Sequence, residues 1–172
     1  MLYELANCLV HSRSMAEHHD FLLQRVQPAM VGLIDGSLST LAPIFSVALI
    51  SHNPFYAFIG GLATSIGAGI SMAFSEGLSD TGELTGRGNP FARGGITGIG
   101  TFIGGILHSL PFLIANYHVA LITALIVVAF ELVALAILRA RFFSTSFAAS
   151  LGAVSFAGAV IVAVSATLGA TA

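Results

Sequence analysis

The chain has no lysine and no tryptophan, a single cysteine, and only 8% charged residues in 172. A soluble globular domain carries about 25% charged residues, so a water-facing surface of ordinary size is excluded. Mean hydropathy is +0.93. Cys8 has no second cysteine to pair with, which excludes a disulfide within the chain. The formal charge of −2 leaves no basic footprint for nucleic acid. Residues 1–10 have neither a basic start nor a long apolar run, and do not read as a cleaved signal peptide.

What is present is apolar sequence punctuated by glycine: 56% hydrophobic residues and 19 glycines. The fold class predicted is all-α, a polytopic membrane protein with five transmembrane helices. Residues 1–27 form an amphipathic juxtamembrane segment, in which Leu2, Leu5, Leu9, Phe21, Leu22 and Val26 alternate with polar groups. Its Glu17-His18-His19-Asp20 cluster reads as a solvated helix face. Residues 28–172 form the transmembrane domain. Spans are expected over about 29–50, 55–78, 94–115, 118–138 and 147–168, each roughly 30 Å at 1.5 Å per residue. Ser51-His52-Asn53-Pro54 and Asn116-Tyr117 read as tight turns.

Orientation follows from arginine. All six (Arg13, Arg25, Arg87, Arg93, Arg139, Arg141) fall in the N-terminal segment, the loop 79–93 or the fourth-to-fifth connection. In an alternating five-span chain these lie on one side, and the positive-inside rule makes that side, with the N-terminus, cytosolic. Small residues mark packing faces: Gly60, Thr64 and Ala68 on the second span; Gly94 and Gly98, then Gly100 and Gly104, on the third; Gly152, Ser155 and Gly158 on the fifth.

Ionisable groups inside a bilayer are costly and usually functional. Counted from the expected cytosolic ends, Asp35, Met72 and Glu131 lie about 10, 9 and 12 Å deep, which suggests one shared polar site. Carboxylates suit hard divalent cations, and a thioether shifts preference toward Fe²⁺ and later transition metals. Met72, Glu76, Asp80 and Glu83 stand at i, i+4, i+8 and i+11. If the helix runs that far they form a ladder for cytosolic metal entry, with Asp80 and Glu83 outermost. Pro43 cannot donate to the carbonyl of Ser39, which offers a further path ligand at Ser39. His108, in the outer half of the third span, is a candidate proton relay.

Ile34-Asp35-Gly36-Ser37-Leu38-Ser39 and Gly69-Ile70-Ser71-Met72-Ala73 with Glu76 resemble the paired signature of the vacuolar iron transporter family. Asp20-Phe21-Leu22, Val26-Gln27-Pro28, Ser39-Thr40-Leu41-Ala42-Pro43 and the stretches Leu78-Ser79-Asp80 and Leu84-Thr85-Gly86-Arg87-Gly88 are similar to the membrane domain of bacterial membrane-bound ferritins. The resemblance covers about residues 20–170. It implies a homodimer in a bacterial inner membrane that exports Fe²⁺, and Mn²⁺, from the cytosol in exchange for protons. The metal is cargo, with no permanently bound cofactor and no enzymatic activity. It further implies that Asp35 and Met72 line a path near the dimer interface with Glu76 at its entrance; it supplies no motif for Glu131. The connection 79–93 has no room for the family's glutamate-rich helical insertion, and the 27 residues before Pro28 do not make a ferritin-like domain. Two other classes fit parts of the pattern. One is a non-transporting metal-binding scaffold or sensor. The other is an intramembrane hydrolase using Ser71 or Ser75 with His108, which the expected depths disfavour.

Overall fold

The computed structural model describes residues 11, 15 and 17–170, the side chains of 166 and 168–170 excepted. Cys8, Arg13 and most of the expected amphipathic segment lie outside them. The described residues form helices joined by short connections, with no strand among them.

Helical chain from Glu17 runs through one wide turn, Leu22–Val26, into α1 (Gln27–Ser39) and α2 (Leu41–Ser51). The expected first span is therefore two helices broken at Thr40. Pro43 is the reason: it has no N–H for the Ser39 carbonyl, and its ring crowds the preceding turn. α3 covers Pro54–Ser79, α4 Pro90–Leu107, α5 Tyr117–Phe143 and α6 Phe147–Ala170, with a 3₁₀ turn at Leu110–Leu113.

Asparagine starts three of these helices. The Asn53 side chain accepts from Phe55 N, Asn89 from Phe91 N and Ala92 N, and Asn116 from Val119 N. Pro54 and Pro90 follow the first two, where a missing N–H leaves no bond unmade. His52, at φ 49°, closes α2 in the left-handed conformation.

Four helical stretches are long and apolar enough to cross a membrane: Glu17–Ser51, Pro54–Ser79, Tyr117–Phe143 and Phe147–Ser165. α4, the expected third span, is not among them. It has 18 residues, carries Arg93 in its first turn and is rich in glycine, which lowers its hydropathy. Its glycines and threonines face protein on two sides. A Cβ at Gly94 or Gly98 would strike Gly69, Ala73 and Gly77 of α3, and one at Gly100 or Gly104 would strike Ala29, Leu33 and Ser37 of α1. Gly32 and Gly36 of α1 abut the backbone of Thr97 and Thr101 in return. α4 is thus clasped by helix backbone on both sides, which is why it needs little apolar surface of its own. The two predicted stripes on this helix are packing faces. On α3 the partner stripe is Gly69, Ala73 and Gly77, whereas Gly60 faces Val47 of α2 and Gly152 of α6 faces open space.

Gln24 donates to Gly86 O across 3.3 Å, and Arg139 lies beside Gln27 and Met30. The arginine-bearing segments among the described residues therefore gather at one end of the bundle. At the other end, the His52 and Tyr117 rings lie 5.1 Å apart, joining the two turns that carry no arginine.

Candidate functional site

The ionisable residues picked out in the sequence fall into three groups. The first lies on α1. Val31, Asp35 and Ser39 stand at i, i+4 and i+8 and form its least covered stripe: Val31 and Ser39 are exposed and Asp35 is half-buried. Asp35 takes no hydrogen bond or ion pair from the described residues. Met72 is half-buried on α3, and no interaction joins it to Asp35 within one copy of the chain. Among the described residues, no three His, Cys, Asp or Glu side chains converge as a metal site would require.

The second group closes the arginine-bearing end. α3 stops at Ser79, and Asp80 is already extended at φ −159°, ψ 158°. Glu83 follows in an exposed turn. The expected ladder is therefore not one helical face. Gly82, at φ 83°, supplies the turn conformation that ends it, and its N–H donates to Asp80 Oδ1. Nor are the first two acids free. Arg93 Nε donates to Glu76 Oε1 at 3.0 Å, and Arg87 Nη2 reaches the same oxygen at 2.7 Å. Arg87 Nη1 and Arg93 Nη2 each lie 3.3 Å from Asp80 Oδ2. Arg93 also donates to Gly88 O and Asp80 O, both at 3.2 Å. Two carboxylates face two guanidinium groups, so their formal charge cancels. Burial acts to raise the Asp80 pKa, but the Gly82 N–H, the Thr85 hydroxyl and the cations of Arg93 and Arg87 outweigh it and hold the carboxyl below its usual value. Glu83 is the acid of this loop that stays exposed and outside the ion-pair network.

The third group is buried in the middle of the bundle, and the sequence reading separated its members. Glu131 does not join Asp35 and Met72. Its Oε1 lies 2.7 Å from Ser37 Oγ of α1 and its Oε2 3.0 Å from His108 Nδ1. His108 Nε2 lies 2.6 Å from Thr40 Oγ1. Thr40 and His108 are fully buried, and Ser37 and Glu131 nearly so. Ser37 is two residues past Asp35, about 3 Å along α1, so Glu131 shares the level of Asp35 but meets a different face of that helix. α5 continues to Phe143 and α4 begins at Pro90; counted from those ends, Glu131 and His108 lie about 18 and 27 Å from the arginine-bearing end. His108 directly follows the last residue of α4, and its ring bonds to the side chains of Thr40 and Glu131. It does not meet Ser71, which is exposed. Ser37 and Thr40 were not singled out in the sequence as partners. Their signal was present: two hydroxyls three residues apart, on a different face of the chain from Asp35.

An apolar groove of about 360 Å³ runs between α3 and α4, lined by Ile66, Gly69, Ile70, Gly98 and Phe102. It contains none of the candidate ligands. Compared with protein-family models, with curated proteins and with solved structures, the chain matches none of them. The class that the fold supports is a membrane protein with several apolar helices of membrane-crossing length.

Proposed function

We propose that this chain exports a divalent transition-metal ion, Fe²⁺ or Mn²⁺, from the cytosol in exchange for protons, and that Asp35 and Met72 line its path. The carrying observation is Asp35: a carboxylate inside an apolar helix, on its open stripe, with no intrachain partner among the described residues. An unpaired charge in that setting is expensive. A cation would satisfy it, and so would a proton in the absence of the cation, as exchange requires. The unmatched stripe Val31, Asp35, Ser39 is where a second copy would place its own Asp35, which supports a homodimer with the path at its seam. Five crossings with the arginine end in the cytosol, in a bacterial inner membrane, complete the reading. Glu76 is held by arginine near the entrance, and Glu83 is the acid left to meet incoming cations. Glu131, with both oxygens engaged by Ser37 and His108, is left out of the metal path.

The test is metal flux into vesicles carrying the purified chain, read with a quenchable dye. Asp35→Asn conserves size and removes the charge, and is expected to lower Mn²⁺ and Fe²⁺ flux about tenfold or more. Met72→Leu conserves volume and should lower Fe²⁺ flux more than that of a harder ion. Metal binding without flux in the unaltered chain would make it a scaffold or sensor instead. Unchanged flux in Asp35→Asn would refute the assigned path.

A further inference from the structure

Among the described residues, Glu131 and His108 are the only ionisable ones in the central part of the bundle other than Asp35. α2 and α6 contain none, and those of α3 lie near its ends, at Tyr56 and Glu76. Arg93 of α4 is 15 residues from His108, about 22 Å. On α5, Arg139 is eight residues from Glu131, about 12 Å. The pair is therefore answered by hydroxyls and by no third charge.

The Thr40 hydroxyl lies 2.7 Å from Gly36 O and 2.6 Å from His108 Nε2. When it donates to the carbonyl, its oxygen accepts from Nε2 and both contacts are satisfied. In that arrangement Nε2 carries a proton. The 3.0 Å approach of Nδ1 to Glu131 Oε2 then holds one more proton, on either atom. In this state the pair has no net charge, whether written imidazole with carboxylic acid or imidazolium with carboxylate. Ser37 has one proton and two acceptors at 2.7 Å, Leu33 O and Glu131 Oε1. When Ser37 donates to Leu33 O, its oxygen is free to accept from a protonated Oε1. A further proton at Oε1 thus completes a chain from Glu131 through Ser37 to Leu33 O, with His108 donating at both nitrogens. The network takes up one proton without losing a hydrogen bond, passing from net charge 0 to +1.

A hydroxyl–imidazole–carboxylate chain also occurs in acyl-transfer enzymes. Here Thr40 and His108 are 0% exposed and the Thr40 hydroxyl is turned onto its own helix, so a substrate has no approach to it.

We propose that Glu131 and His108, with Ser37 and Thr40, form a metal-free proton-binding site in the centre of the bundle. Resting on the exchange reading above, it is a second site for counter-transported protons, beside the proton that Asp35 takes up when the metal leaves. The two sites share α1: Ser37 is two residues past Asp35, about 200° around the helix, so metal and proton address opposite faces of one element.

The experiment uses the full chain in vesicles. Infrared pH-difference spectra without metal are expected to show a carboxyl band that changes on proton uptake, absent in Glu131→Gln and retained in Asp35→Asn. Glutamine can donate to Nδ1 and accept from Ser37, so this variant keeps the neutral network and should fold. Thr40→Val removes the acceptor for Nε2 and should shift the titration; it is the second variant if Glu131→Gln does not fold. The same vesicles then report Mn²⁺ flux with and without a proton gradient, and Glu131→Gln is expected to lose the stimulation by the gradient. A titrating carboxyl unchanged in both Glu131→Gln and Thr40→Val overturns the site. Gradient stimulation that survives Glu131→Gln overturns its role in exchange. No Mn²⁺ flux in any chain, with the titration still lost in Glu131→Gln, upholds the proton site and refutes transport.

Discussion

Replacing Arg93 by alanine removes a side chain that is 1% exposed and makes four polar contacts: Glu76 Oε1, Asp80 Oδ2, Gly88 O and Asp80 O. Taking away one partner of a buried ion pair costs about 3–5 kcal/mol, because the other charge stays behind. Here the lower end applies. Glu76 is 14% exposed and keeps Arg87, and the two carbonyls belong to a loop that can turn them to water. About 3 kcal/mol is about a hundredfold in the opening equilibrium of residues 80–89. Arg87, 21% exposed, reaches the same two carboxylates, but as a partly exposed cation with fewer polar contacts than Arg93 it should be worth about 1 kcal/mol. Amide hydrogen exchange in lipid nanodiscs reads both. Arg93→Ala should speed exchange across 80–89 about a hundredfold, and Arg87→Ala about fivefold or less. The exchange of α5 should be unchanged in both. Equal effects of the two substitutions would refute the argument that burial, rather than charge count, makes Arg93 the anchor of the loop.

The same loop has a pH dependence of known sign. The Asp80 pKa is lowered in the folded chain, so its stabilisation is present above the ordinary carboxylate value near about 3.9 and is lost as pH falls through the lower folded-state value. Pepsin should therefore begin to cut within 80–89 only below about pH 4, and Asp80→Asn should be cut there at higher pH; equal onset in both would refute it. Gly36→Ala drives a Cβ into the backbone of Thr101 and Gly105, and should lower the thermal stability of the purified chain by about 3 kcal/mol or prevent folding. Gly67→Ala meets no atom within 4 Å and should leave stability equal or higher by up to about 1 kcal/mol.

The helix ends were legible where local chemistry dictates them. Asn53-Pro54 and Asn116 each supply a cap before an apolar run, and the breaks in the structure fall there. Pro43 announced the interruption of the first span. Asn89-Pro90 carried the same signal, but the glycine-rich loop and Arg93 obscured it, since an arginine next to a presumed membrane entry reads as loop. That displacement hid the main ion-pair network. With α4 beginning at Pro90, Arg93 falls in its first turn, opposite the last turn of α3 and Glu76. Glu131 was placed at the level of Asp35, and its partner Ser37 is only two residues from Asp35, but the face of α1 that it meets was not legible. Pairing between distant hydroxyls and acids depends on helix rotation and tilt, which tertiary packing sets.

α1 shows what such pairings add to a reading by composition. Gly32 and Gly36 give its backbone to α4, Ser37 and Thr40 give their hydroxyls to Glu131 and His108, and Val31, Asp35 and Ser39 are left as its least covered stripe. With Thr40, which follows its last residue, these sets divide the 13-residue helix into three faces. The helix then breaks at Thr40, the residue that accepts from His108, so the proton-bearing network holds the chain at the point where its helical bonding is weakest. A helix with an intact ladder would resist any change transmitted across it. One interrupted beside its polar contacts can shift or rotate while its glycine face slides along α4, because no side chain interlocks there. Under the exchange reading, the alternation between a metal at Asp35 and a proton at Glu131 then needs only this one element to move, with α3 and α4 held together by Arg93 and their own glycine seam.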